Sequence, residues 1–268
     1  MFSIDLDCPQ ADKDILIADL WEAGSTGIVE LEEWDDMARI RAFFDTGADE
    51  AALVARFGGE SHPADTRDWV AFAREHLQPM EIGERIFVVP EWRDDPTPEG
   101  RIRIVTNAGL AFGTGAHETT RLCLEAVERH TRPAMTIVDI GTGSGILSEV
   151  AMKLGAAQAF ASDTDPMAVG AARENFERAG VQVAVFTGSA DVVADAVADL
   201  VVANISPAWI AELAPDWHRI LKPGGLAILS GFEAADVPGV VAAMKKAGLT
   251  IEGEFGAKEW RMIEARKA

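Results

Sequence analysis

The chain has 268 residues, 48% of them apolar and 25% charged, with a formal charge of −20. Such a composition belongs to a folded protein with a sizeable core, and no apolar run approaches the ~18 residues of a membrane span. The acidic surplus repels nucleic acid and anionic membrane surfaces and favours a basic partner.

That surplus is uneven. Residues 1–62 hold 15 Asp and Glu against 4 Lys and Arg, which leaves 29 against 20 for the rest of the chain. The two cysteines, Cys8 and Cys123, lie in separate segments and form neither a disulfide framework nor a metal spacing. Free thiols in a reducing cytoplasm are the expectation. The chain opens directly on an acidic strand, so no signal peptide is expected.

In chain order, Phe2, Ile4 and Leu6 alternate with polar residues as in a half-buried strand. After Pro9, Ile15, Leu16, Leu20 and Trp21 fall on one helical face, and the turn from Gly24 to Gly27 ends that helix. Strands over 27–32 and 38–44 and a helix over 48–57 follow. The order βαββα is most of a ferredoxin-like sandwich, with no His/Cys cluster to suggest chemistry. Pro63 to Thr66 is a plausible boundary, 66–77 reads as a linker helix, and Ile86–Val89 as a short strand. The loop Asp94-Asp95-Pro96-Thr97-Pro98-Glu99-Gly100 closes this linker.

Residues 101–105 alternate as a strand and lead into a glycine-rich segment, 109–120, ahead of a helix over 121–129. His117-Glu118 opens like the zinc motif H-E-x-x-H, but position 121 is Arg, so no metal site is expected. Thr119 and Thr120 read either as helix caps or as groups that close over a ligand.

The chain is organised around the next stretch. Thr136-Ile137-Val138-Asp139-Ile140 is a buried strand that runs into Gly141-Thr142-Gly143-Ser144-Gly145 and then a helix from Ile146. Glycines let backbone approach a ligand, and the helix start offers free N–H groups to it. A second strand, 159–162, delivers Asp163, whose carboxylate can accept both hydroxyls of a ribose. The spacing is G-x-G-x-G, with Ile146 and Leu147 where a dinucleotide fold would place another glycine, and no Lys follows to grip a phosphate. A nucleoside cofactor without phosphate, S-adenosylmethionine, suits this turn.

Beyond it come a helix over 166–179, a strand over 181–186, and the buried strand Asp199–Asn204 with its polar end. A helix over 207–221 is broken by Pro215. A strand over 226–230, a helix over 235–247 and a hairpin of strands over 250–255 and 260–265 complete the chain. Alternating strands and helices make a doubly wound sheet with its ligand at the carboxyl ends of the strands, where Gly141, Asp163 and Asn204 all fall.

Three segments carry a resemblance: Gly109–Thr120, Val138–Leu147 and Val202-Ala203-Asn204-Ile205, joined by the stretch from Asp68-Trp69 to Glu91-Trp92. They resemble the ribosomal protein L11 methyltransferases, the PrmA family of seven-stranded, Rossmann-like class I methyltransferases. The resemblance implies a small ferredoxin-like substrate-recognition domain (1–62), a linker (63–100) and a catalytic domain (101–268). It implies trimethylation of lysine side chains and of an N-terminal amine on a basic ribosomal protein of the large subunit, with no nucleic-acid or membrane partner. Carried over by position, cofactor contacts fall on Thr120, Gly141, Gly143, Asp163 and Asn204, with Phe112 on the loop that closes over the cofactor. Asn204 is the candidate for orienting either the acceptor amine or the methionine end of the cofactor. Ser206-Pro207-Ala208-Trp209 departs from the leucine-rich segment of many members, at the acceptor entrance.

Rival readings fare less well. A base-modifying enzyme would place prolines and an aromatic ring directly after Asn204 to stack a flipped base, whereas Ile205-Ser206-Pro207 follows. A class I methyltransferase acting on another protein's lysine or on a small molecule is the alternative, since the core would look the same; the acidic first module argues against the small molecule. A nicotinamide-dependent oxidoreductase is disfavoured by the glycine spacing, and a non-catalytic cofactor-binding module is the non-enzyme alternative.

Overall fold

The computed structural model describes residues 2–34, 36–45, 47–63, 78–106 and 117–268. The expected linker helix over 66–77 and the glycine-rich 109–116 lie outside these residues. The chain forms two compact units, Met1–Phe72 and Ala73–Ala268.

The first unit runs β1 (Phe2–Pro9), α1 (Lys13–Glu22), β2 (Gly27–Trp34), β3 (Met37–Phe44), α2 (Glu50–Phe57) and β4 (Glu60–Pro63). Its sheet is antiparallel in the order β2-β3-β1-β4. Alternation along β1 and β3 turns Ile4, Leu6, Ile40, Ala42 and Phe44 inward, where Leu20 of α1 and Leu53 of α2 cover them. The outward positions carry bidentate ion pairs between neighbouring strands, Arg41 with Asp5 and Arg39 with Asp7. The fourth strand, Glu60-Ser61-His62-Pro63, completes the βαββαβ sandwich. It pairs with Phe2–Asp5 although nothing apolar alternates in it.

The second unit begins with β5 (Met80–Ile82), β6 (Ile86–Pro90) and β7 (Ile102–Thr106), a small sheet in that order. The sequence reading placed 63–100 in a linker. Here Ile82, Ile86, Val88 and Ile104 join the same apolar core as Leu124, Ile137 and Val150, so β5 and β6 are built into the second unit. The apolar run Ile86–Val89 is buried throughout.

The main sheet follows: α3 (Glu118–His130), β8 (Thr136–Ile140), α4 (Ile146–Lys153), β9 (Gln158–Asp163), α5 (Pro166–Ala179), β10 (Ala184–Thr187) and β11 (Ala198–Asn204). After them come α6 (Pro207–Glu212), α7 (Ala214–Ile220), β12 (Leu221–Glu233), α8 (Val237–Lys246), β13 (Leu249–Ala257) and β14 (Trp260–Lys267). Seven strands stand in the order β10-β9-β8-β11-β12-β14-β13. All neighbours are parallel except β14, which runs antiparallel to β12 and β13. The doubly wound sheet expected from the alternation is therefore present. The strand order reverses between β8 and β11, and the loops at their carboxyl ends part there to open a crevice. No helix among the described residues is long and apolar enough to cross a membrane.

Candidate functional site

The crevice is a cavity of about 430 Å³ beside the glycine turn. Strand β8 ends at Ile140, and Gly141 turns the chain with φ +72°. A Cβ at Gly141 would stand 2.3 Å from Ile205 Cγ2, so only glycine lets the turn pass this close to the end of β11. The N–H groups of Gly141 and Thr142 both donate to the Ser162 carbonyl, at 2.8 and 2.9 Å, which ties the turn to β9.

Asp163, at the end of β9, is held from both sides. Its Oδ2 accepts the Gly143 N–H at 3.0 Å and its Oδ1 accepts the Asp165 N–H at 3.0 Å. Each oxygen keeps a further lone pair for a group in the cavity that it lines.

Beneath the turn lies a carboxylate that sequence reasoning did not single out. Asp139 is fully buried in the middle of β8. Its Oδ2 accepts the Thr142 hydroxyl at 2.7 Å and the Ser148 hydroxyl at 2.9 Å, while Oδ1 has no hydrogen-bond partner. Burial pushes its pKa up to about 6, although both hydroxyls favour the ionised form. The sequence signal was available: a lone charge inside an otherwise apolar strand.

Asn204 closes the opposite wall. Its Nδ2 donates to Thr119 Oγ1 at 3.1 Å and to Thr120 Oγ1 at 3.4 Å, so α3 and the end of β11 are bonded together at the cavity. Thr119 Oγ1 lies 2.8 Å from His117 Nδ1, and the His117 ring meets Trp260 edge-on at 4.8 Å. The helix begins at Glu118, not Arg121. Its cap is His117, whose Nδ1 accepts the Thr119 N–H, so capping is not the task of Thr119 or Thr120. Both threonine side chains are buried and serve Asn204 instead.

The structure thus gathers Thr120, Gly141, Gly143, Asp163 and Asn204 around one cavity, together with Ile205, Trp209 and Leu213. Phe112 lies outside the described residues. Among those described, the cavity wall holds no Lys or Arg. That lining suits a nucleoside carrying a positive charge and no phosphate: a carboxylate for a diol, glycine backbone that allows a close approach, apolar walls and no cation.

Comparison with known proteins points the same way. The family model described as ribosomal protein L11 methyltransferase (PrmA) matches residues 4–268. The ribosomal protein L11 methyltransferase of Symbiobacterium thermophilum is 38% identical over 242 residues, 88% of this chain and 79% of its own length. That of Burkholderia thailandensis is 42% identical over 166 residues, 58% of this chain and 55% of its own. A crystal structure of ribosomal protein L11 methylase from Lactobacillus delbrueckii subsp. bulgaricus superimposes with a TM-score of 0.67 at 32% identity, covering 72% of this chain and all of that one. Sheet order, cavity and sequence agree: the chain belongs to the ribosomal protein L11 methyltransferase (PrmA) family, with the class I methyltransferase fold.

Proposed function

We propose that the protein methylates amines of ribosomal protein L11, on lysine side chains and at the N-terminus, carrying them to the trimethylated state. The observation that supports this most is the convergence of Asp163, the glycine turn and Asn204 on one cavity without a cation. S-adenosylmethionine is the cofactor of this family's reaction, and when bound it supplies an activated methyl group on a sulfonium. Asp163 would hold its ribose, and Gly141 and Gly143 would bring backbone against it.

The chain's own groups then have three tasks. An amine attacks only when neutral, and a free lysine has a pKa of about 10.4. The apolar wall of Ile205 and Leu213 strips water from the amine and lowers that value. Asn204 orients it. Both N–H bonds of its amide point to threonine hydroxyls, which leaves Oδ1 as the atom free to accept from the nitrogen. Thr119, fixed by His117, holds that amide in place, and alignment of this kind supplies much of the rate in an in-line transfer.

We assign recognition of L11 to the acidic first unit, whose surplus of Asp and Glu suits a basic protein. The test is methyl transfer from labelled S-adenosylmethionine to purified L11, with the modified positions read by mass spectrometry. Label on lysine and N-terminal amines is expected. Label confined to other side chains, or none on L11 while the cofactor binds, would overturn the proposal.

A further inference from the structure

Trp209 stands at the mouth of the cavity in a state unlike that of its neighbour in the same helical pair. Its side chain is 56% exposed, whereas Trp217 is fully buried and donates Nε1–H to the Ile210 carbonyl at 2.9 Å. Among the described residues of the second unit, Met167, Val192 and Trp209 are the large apolar side chains left exposed, and of these Trp209 lines the cavity. Its backbone is fixed. The helix starts at Pro207, the Ser206 carbonyl accepts from Ile210 N–H at 3.0 Å, and the Trp209 carbonyl accepts from Leu213 N–H at 2.9 Å. Ile210, next in sequence, is buried in the core and anchors this turn. An indole held at the rim of a reaction cavity, and left half in water, is a surface kept for something that comes and goes.

The chemistry of successive methylation says what that is. In each transfer the nitrogen lone pair forms the new N–C bond and the S–C bond breaks with its electrons left on sulfur. A proton leaves the nitrogen for solvent before the next round, until the third transfer leaves a permanent cation. Each round therefore replaces an N–H by a methyl. Asn204 Oδ1 can hold only a nitrogen that still carries hydrogen, so its grip fades as methyl groups accumulate. A ring face attracts a cation that has no N–H to donate, and does so best with tryptophan. The two groups line the same cavity and are complementary in this respect.

We propose that Trp209 receives the methylated ammonium of the acceptor and thereby sets how many methyl groups are added. The inference rests on the reading of the acceptor as an amine. It is tested by a binding experiment that needs no turnover, on the full-length protein loaded with S-adenosylhomocysteine. The probes are acetyl-trimethyllysine amide and its neutral isostere, in which carbon replaces the quaternary nitrogen. Wild-type protein should bind the cation roughly tenfold more tightly than the isostere. Trp209→Phe should keep part of that preference, and Trp209→Leu should bind both probes equally. With L11 as acceptor, Trp209→Leu should shift the products toward mono- and dimethylated forms. Equal binding of the two probes by wild type, undiminished preference in Trp209→Leu, or an unchanged product distribution would each overturn the inference. A wild-type protein that leaves L11 unmodified would instead refute the amine reading, which the probe comparison does not depend on.

Discussion

Asp139→Asn should change how the stability of the second unit depends on pH. The carboxylate is sealed inside β8 with one oxygen bonded twice and the other without a partner. Burial raises its pKa from the ordinary 3.8 to about 6. Folding therefore takes up a proton between those two values, and stability falls as pH rises through that window. Above it the ionised group costs roughly two pKa units, about 3 kcal/mol; at pH 5 the cost is about half as large. Asparagine cannot ionise, so it is free of this cost, and its oxygen can still accept from Thr142 and Ser148. Its N–H groups take the place of an oxygen that has no hydrogen-bond partner, and whatever desolvation penalty they carry, up to about 1–3 kcal/mol, does not vary with pH. The net effect at any one pH is thus a balance of two similar quantities, but the change with pH is not. Relative to wild type, the variant should gain roughly 1–2 kcal/mol between pH 5 and pH 8. Urea unfolding of both proteins at the two pH values, followed by tryptophan fluorescence and circular dichroism, measures it. Other titrating groups cancel in the comparison, apart from Asp163, whose charge adds to the repulsion. A difference between the proteins that stays constant within about 0.5 kcal/mol would show that Asp139 is not ionised at a cost, and the reasoning would fail.

Asp163→Ala should weaken S-adenosylmethionine binding about a hundredfold by calorimetry, from two lost hydroxyl contacts at the lower end of about 1.5–3 kcal/mol each for a half-buried carboxylate. A Kd within about threefold of wild type would remove Asp163 from the ribose site. Thr119→Val takes away the nearer of the two acceptors that fix the Asn204 amide. Turnover should fall roughly tenfold while the cofactor Kd moves less than about threefold; equal turnover would mean that Asn204 needs no such support. Gly141→Ala forces a side chain into φ +72° and drives its Cβ toward Ile205. A loss of about 2 kcal/mol or more and abolished cofactor binding are expected, and a variant with wild-type melting temperature and affinity would contradict the close approach seen here.

Much of the fold was legible because local signals and tertiary demands coincide. Helix α5 runs Pro166–Ala179 as expected, with Asp165 capping its start and Gly180 in a left-handed turn at its end. The buried strands β8 and β11 announce themselves as apolar runs closed by a turn or a polar residue. Where the reading failed, the missing information was long-range. Glu60–Pro63 has no periodicity and becomes a strand by pairing with β1. Strand β12 spans Leu221 to Glu233, but its pairing with β11 jumps from Leu221 to Leu226 and its pairing with β14 begins at Leu226, so Pro223-Gly224-Gly225 bulges out of the ladder as its local turn signal says. The loop of prolines and acids at 94–100 looks like the end of a linker, yet the strands on either side of it share one core. Composition distinguishes a loop from an element but not a loop from a domain boundary.

The site divides along the same line. Gly141 and Asp163 are joined by a spacing that sequence displays, because a single βαβ unit places both. The His117, Thr119 and Asn204 arrangement is not, since 85 positions separate Thr119 from Asn204 and only the packing of α3 at the end of β11 brings them together. His117-Glu118 resembled half a metal motif, but the imidazole is spent on capping a helix and fixing a hydroxyl. Asp163 has a second occupation of the same kind. Its two oxygens tie Gly143 on one side and Asp165 on the other, so the carboxylate proposed to bind the cofactor also shapes the turn that receives it. Removing it changes the ligand contact and the preorganised backbone together. Asp163→Asn separates the two, because its amide keeps one acceptor for the turn while losing the charge. If the carboxylate acts chiefly on the ribose, Asp163→Asn should bind the cofactor nearly as poorly as Asp163→Ala while melting between that variant and wild type, since its one oxygen satisfies one of the two turn N–H groups. If it acts chiefly on the turn, binding and stability should both recover, and the ribose assignment would have to pass to another group.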